Sequence, residues 1–161
     1  MGALHTERLD LTLMTPEHAR GIATGDNPDR HARVAGYPTT STLLRAELTI
    51  AAATQRCPLG AFGTYQVTRR EDGRVIGDVG FLGPPDATGA VSIGGAIAPE
   101  ERRRGYATEA FKALVEWAQE QPGVTCVIAD TTRANVAAQR LLERAGLRLM
   151  GEDGELRYYM A

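Results

Sequence analysis

Between Val91 and Ala118 the chain reads VSIGGAIAPEERRRGYATEAFKALVEWA: a strand, a basic glycine turn and a helix in unbroken succession. Val91, Ile93 and Ile97 alternate with small residues, which predicts a strand. Paired glycines inside a strand, here Gly94 and Gly95, signal a bulge or a close approach of backbone. Pro99 ends the strand because it has no N–H for a ladder. Arg102, Arg103, Arg104 and Gly105 form the turn. Ala107, Ala110, Phe111, Leu114 and Ala118 then place one apolar face on a helix.

The first N–H groups of a helix have no partner within it, and the helix dipole adds positive potential there. A glycine lets an anion approach the backbone without meeting a Cβ, and arginines add bidentate donors. A diphosphate suits such a turn. The turn lacks the G-x-x-x-x-G-K-S/T spacing of a Walker loop, because the lone lysine, Lys112, is mid-helix. It also lacks the three glycines of a dinucleotide fingerprint. The competing reading is a solvated charge run at a helix start, although positive charge there opposes the dipole.

Arg102-x-x-Gly105-x-Ala107 resembles the Gln/Arg-x-x-Gly-x-Gly/Ala pyrophosphate loop of the GNAT superfamily, the GCN5-related N-acetyltransferases. PEERRRGYATEA is similar to the version in the ribosomal-protein N-terminal acetyltransferase branch. The likeness extends to TERLDLTLMTPEHA (Thr6 to Ala19), to GFLGPPD (Gly80 to Asp86), and to the run from Asn135 to Leu147. It covers nearly the whole chain in order, so 1–161 reads as one acetyltransferase domain. The fold it implies is α+β: a twisted, mostly antiparallel sheet of six to seven strands, splayed between the fourth and fifth, with about four helices.

The rest of the chain agrees with that outline. ERLDLTLM (7–14) alternates as a first strand. Thr15-Pro16-Glu17 reads as an N-cap, a proline at the first helical position and an acid in the first turn. This helix fades at the turn cluster Gly25-Asp26-Asn27-Pro28, and His31 follows in a polar loop. A second helix is predicted from Thr40 to about Thr54, with Leu43, Leu44, Leu48, Ala51 and Ala52 as its buried stripe. Strands at Phe62–Thr68 and Arg74–Phe81 flank the hairpin signal Asp72-Gly73. After the central helix, Val124–Ala129 reads as a buried strand, Asn135 opens a helix closed by Gly146, and 147–150 and 155–160 form a final hairpin.

A chain of 161 residues with net charge −2 argues against bulk nucleic-acid or anionic-membrane affinity. No apolar run approaches membrane-spanning length. Cys57 and Cys126 show no metal spacing, and no metal is expected. A cytoplasmic protein, monomeric or homodimeric, is the expectation.

The resemblance implies acetyl transfer from acetyl-CoA, as cosubstrate, to a primary amine: a protein N-terminus or a small molecule. Arg102, Arg103, Arg104, Gly105, Tyr106, Ala107 and Thr108 would hold the pyrophosphate. Backbone N–H groups near Ile97 and Ala98, after the bulge, would face the thioester or pantetheine. Asn135 would contact the cofactor as well as cap its helix. Many relatives carry a glutamate on the central strand where this chain has Ser92, which would act through water. Gly95 replaces the usual aromatic and is expected to enlarge the acceptor side. Leu142 and Ala138 stand where relatives carry a tyrosine or serine acid. Tyr158 and Tyr159 are substitutes, and Glu109 reads as a cap or a partner for an arginine rather than a base. The alternative to an enzyme is a non-catalytic CoA-binding sensor.

Overall fold

The computed structural model describes residues 2–27, 30–57 and 59–161, so Pro28 of the first turn cluster lies outside the described residues. In chain order the elements are β1 (Leu4–His5), β2 (Leu9–Leu13), α1 (Pro16–Thr24), α2 (Thr40–Thr54), β3 (Thr64–Arg69), β4 (Arg74–Phe81), β5 (Ala90–Ile97), α3 (Tyr106–Gln119), β6 (Cys126–Thr132), α4 (Val136–Arg144), β7 (Arg148–Asp153) and β8 (Leu156–Met160). Short 3-10 turns precede β3 and α3.

Local chemistry sets the helix ends. Thr15 Oγ1 accepts from the His18 N–H at 3.2 Å to start α1, and left-handed Gly25 closes it. Thr39 and Thr42 cap α2 reciprocally, and Asn135 Oδ1 accepts from the Ala138 N–H at 3.0 Å to open α4. The β3–β4 hairpin is clamped by Arg69, whose Nε and Nη2 donate to the two Asp72 carboxylate oxygens at 3.0 and 2.6 Å.

The strands form one sheet in the order β1-β2-β3-β4-β5-β6-β8-β7. Every neighbouring pair is antiparallel except β5–β6. That parallel pairing covers only Ala90–Ser92 against Cys126–Ile128, after which the two strands part. Two-residue β1 is an eighth strand beyond the expected six or seven, and the splay between β5 and β6 is the expected one.

α3 and α4 cover one face of the sheet. Phe111, Leu114, Val115 and Ala118 join Val79, Phe81, Val91 and Ile93 in the main core. Trp117 packs on Phe81 and Phe62 at centroid separations of 5.7 and 5.2 Å. Each large apolar side chain buried there contributes about 1.5–3 kcal/mol. α2 lies on the opposite face, with α1 packed against it through Ile22, Ala19 and Ala46. Beyond β5 that face carries no helix among the described residues, and Ile128 and Tyr158 are exposed on it.

Three expectations need correction. α2 has its predicted bounds, but the side it buries is Thr42, Arg45, Ala46 and Thr49, while Leu43 and Leu44 are exposed at 42% and 69%. The cause is Asp78, fully buried on β4, which draws the polar side of α2 onto the sheet. No bulge occurs at Gly94-Gly95, because β4–β5 register runs without a slip from Phe81↔Ile93 to Gly77↔Ile97. β6 starts at Cys126 rather than Val124 and continues through Asp130 to Thr132.

The glycines of β5 serve close approach instead. A Cβ at Gly95 would strike the Asp78 carbonyl and come within 2.6 Å of Val79 Cα. Gly95 therefore opens no acceptor space, since β4 fills it. A Cβ at Gly94 would stand 2.5 Å from Arg45 Nη2, so Gly94 leaves room for a guanidinium.

Candidate functional site

The site is built at the C-terminal ends of the two parallel strands, where β5 and β6 part. β5 leads through a 3-10 turn (Pro99–Glu101) to α3, and β6 leads through 133–135 to α4. The helices thus begin on the two arms of the V.

The start of α3 differs from those of α1, α2 and α4: its N-cap is Gly105, with φ +80°, and no side chain caps it. The first N–H groups, on Tyr106, Ala107 and Thr108, keep their donor capacity for a ligand. Gly105 holds a left-handed conformation that costs other residues energy. The three arginines before it differ in their engagement. Arg102 Nε donates to the Ile97 carbonyl at 2.9 Å. Arg104 Nη1 lies 3.4 Å from Glu101, which also receives Arg69 Nη1 at 2.6 Å. Arg103, at φ +65° and exposed, makes no ion pair or side-chain hydrogen bond among the described residues. Neither Arg102 nor Arg103 has an acidic partner among the described residues, and Arg103 is the more open of the two to an anion.

Glu109, one turn into α3, would oppose an anion there. It is neutralised by Arg8, whose Nε and backbone N–H donate to its two carboxylate oxygens at 2.7 and 2.8 Å. Thr6 Oγ1 donates to it at 2.5 Å. Burial raises the Glu109 pKa, but these donors outweigh it and hold the carboxyl below its ordinary value. Arg8 Nη1 also donates to the Arg104 carbonyl at 2.9 Å, and its guanidinium lies 4.6 Å from the Tyr106 ring centroid. Tyr106 is buried in that contact, so it offers its backbone rather than its ring to a ligand. The sequence leaves Glu109 as a cap or an arginine's partner and does not say which arginine. Arg8 lies 101 positions away, and only the stacking of β2 under α3 brings it there.

On β5 the two backbone candidates separate. Ala98 N–H donates to the Ile76 carbonyl at 2.8 Å, and Ala98 O accepts from Glu101 N–H at 2.9 Å. Ala98 is therefore not a free donor, contrary to expectation. Antiparallel pairs alternate between hydrogen-bonded and open. With Ile76/Ala98 bonded, the N–H groups of Ile97 and Gly95 turn away from β4 toward the V. Arg102 meeting the Ile97 carbonyl from that side agrees with this. Gly95, expected to matter for its missing side chain, contributes a main-chain donor.

Ser92 is the last β5 residue paired to β6, opposite Ile128. It lines a cleft of about 230 Å³ on the helix-free face with Ile128, Asp130, Met150, Tyr158 and Met160. Tyr158 opens onto this cleft, whereas Tyr159 faces the core at 1% exposure and is removed as a proton donor. Asn135 Oδ1 is occupied by its cap, on the β6 arm of the V. His31 stacks edge-on to His18, with ring centroids 6.1 Å apart.

Across the sheet from α3, Asp78 accepts from Thr42 Oγ1 and lies 3.5 Å from Arg45 Nε. Burial pushes the Asp78 carboxyl up and the Arg45 guanidinium down, each partly offset by the other. No sequence spacing marks this pair: α2 reads as an apolar helix, and the pairing follows from sheet register.

The chain belongs to the GNAT acetyltransferase family, whose domain model, "Acetyltransferase (GNAT) domain", matches residues 8–148. Among named relatives, an uncharacterized N-acetyltransferase of Bacillus subtilis, YjdG, is 30% identical over 62% of this chain and 59% of its own length. A second from the same organism, YoaA, is 29% identical over 98% of this chain and 87% of its own. Thus the match to YjdG spans less than two thirds of that protein. Solved structures share the fold. A ribosomal-protein-S5-alanine acetyltransferase from Vibrio fischeri superposes with TM-score 0.70 at 14% identity, covering 100% of this chain and 96% of that one. An acetyltransferase from Agrobacterium tumefaciens gives 0.69 at 23%, covering 100% and 94%. RimL, a ribosomal L7/L12 alpha-N-protein acetyltransferase solved with coenzyme A, gives 0.69 at 14%, covering 97% and 94%.

Proposed function

We propose that this chain transfers an acetyl group from acetyl-CoA to a primary amine by direct attack of the amine on the thioester. The observation that carries the reading is the uncapped start of α3 at Gly105, beside strands that part. A cradle that a Cβ would crowd, free main-chain donors and the unpaired Arg103 fit a diphosphate. The Gly95 and Ile97 N–H groups fit the amides and carbonyl of a pantetheine arm lying along β5.

Acetyl-CoA supplies an activated acyl carbon and a thiol leaving group. Everything else falls to the chain. Gly95 and Ile97 offer donors in the V, and one such donor aimed at a developing oxyanion is worth about 3–4 kcal/mol. Holding the two reactants together adds about 7–11 kcal/mol. Ser92, at the cleft floor, would hold the water through which the amine sheds its proton. A thiol of pKa about 8.5 leaves without strong need of an acid, which suits Leu142, buried in the core at 4% exposure.

Calorimetric titration of the protein with acetyl-CoA tests the reading. Gly105→Glu places a carboxylate in the cradle and is expected to abolish binding while circular dichroism stays native. Unchanged affinity would contradict it. One observation favours a second reading, a CoA-binding sensor: neither Leu142 nor Ala138 supplies the hydroxyl found at those positions in relatives. Tight acetyl-CoA binding without thiol release on any amine would select the sensor.

A further inference from the structure

The cleft beside Ser92 carries a carboxylate that no other residue uses. Asp130 is exposed on β6, two residues past Ile128 on the arm of the V, and its carboxylate makes no ion pair or hydrogen bond among the described residues. Directly opposite in β6–β8 register stands Tyr158, 40% exposed. The remaining walls are apolar: Ile128 and Met150 are 37% and 60% exposed, and Met160 completes them. So much uncovered hydrocarbon around one carboxylate is unusual for a solvated surface, where exposed apolar residues stand singly.

We infer that this cleft is the acceptor site and that it selects a small monoamine on an apolar or aromatic body. The inference rests on the acetyltransferase reading above and deepens it. Asp130 holds the ammonium, and the Tyr158 ring adds a cation–π face to the same charge. Ile128, Met150 and Met160 hold the body, the methionine side chains adapting to its shape. At about 230 Å³ the cleft lies below the roughly 300–1,000 Å³ of drug-sized sites, so the body is small. A second ammonium would rest on hydrocarbon without a partner. It would also meet Arg148, which is exposed and opposite Met160 in β7–β8 register. Polyamines and aminosugars are therefore disfavoured.

The position suits transfer. Ser92 and Ile128 are the last paired residues before the strands part, so an amine at Asp130 stands at the mouth of the V. Its nitrogen forms the amide bond as the carbon–sulfur bond breaks. The bound ammonium sheds two protons in all, one before it attacks and one as the amide forms; each passes to Asp130 or through water at Ser92 and on to solvent, and the thiolate leaves with the CoA.

The test is thiol release from acetyl-CoA with the full chain and four amines at equal concentration: 2-phenylethylamine, 3-methylbutylamine, spermidine and kanamycin. The first two are expected to exceed the others at least tenfold in kcat/KM. Asp130→Asn is expected to raise KM for 2-phenylethylamine at least tenfold with acetyl-CoA affinity unchanged by calorimetry, which also shows that the variant folds. Tyr158→Leu, which keeps bulk and removes the aromatic face, is expected to raise the same KM by a smaller factor. Preference for spermidine or kanamycin, or an unchanged KM in Asp130→Asn, overturns the inference while leaving the acetyltransferase reading standing. Acetyl-CoA bound with no amine acetylated overturns it in favour of the sensor. Failure of the wild-type chain to bind acetyl-CoA removes both.

Discussion

Glu109 is the wrong charge for a helix start proposed to hold an anion, and its neutralisation by Arg8 decides whether α3 can serve. Arg8→Ala leaves the carboxylate with Thr6 and a backbone N–H and restores a negative potential near the proposed diphosphate site. Acetyl-CoA affinity is expected to fall about three- to tenfold, given the screening of partly exposed charges. Glu109→Gln in the same background should recover most of it; no recovery would mean that Arg8 acts only through packing on Tyr106. Charge also sets the acid response of the hairpin. The Arg69 side chain, followed by the Arg74 N–H, holds the Asp72 carboxyl down to about 2. A lowered carboxylate pKa favours the fold above the unfolded value near 4, and that contribution is lost as pH falls through about 2. Amide exchange at Gly73 and Arg74, measured at several pH values, is expected to lose protection over that interval. Protection independent of pH would contradict the clamp.

At the scale of elements, α2 shows how a buried ion pair overrides an apolar pattern. Leu43 and Leu44 face out because Thr42 and Arg45 must face Asp78. Removing one partner of such a pair leaves an uncompensated buried group and costs about 3–5 kcal/mol. Asp78→Ala is expected to destabilise by about that amount in urea. Arg45→Met combined with Asp78→Leu should recover much of the loss, a coupling that two independent sites would not show. Because burial raises the Asp78 pKa, its protonated form favours the fold. That contribution is present at low pH and lost as pH rises through the folded value, so Asp78 does not drive acid unfolding. This pair also marks where sequence reading stopped. The caps at Thr15 and Asn135 and the turn at Gly105 are legible because their partners lie within a few residues. Arg8–Glu109, Arg45–Asp78 and the role of Asp130 are not, since each depends on which strands become neighbours. The Gly94-Gly95 pair signals a bulge or a close approach, and the unbroken β4–β5 register leaves the second.

At the scale of the molecule, the one parallel pairing between named strands among the described residues forms the fork of the candidate site. Three residue pairs hold β5 to β6, and beyond them the strands separate. A helix start stands on each arm, with the Asp130 cleft at the fork. The sheet's outer strands contribute indirectly: β2 brings Arg8 to α3, and the β3–β4 hairpin links through Arg69 and Glu101 to Arg104. The most direct measurement is a crystal structure of the chain with coenzyme A. The account predicts the diphosphate on the main-chain N–H groups from Arg103 to Thr108, and the pantetheine between β5 and β6 with its amides on Gly95 and Ile97. A diphosphate bound elsewhere, or β5 and β6 paired along their full length, would contradict it.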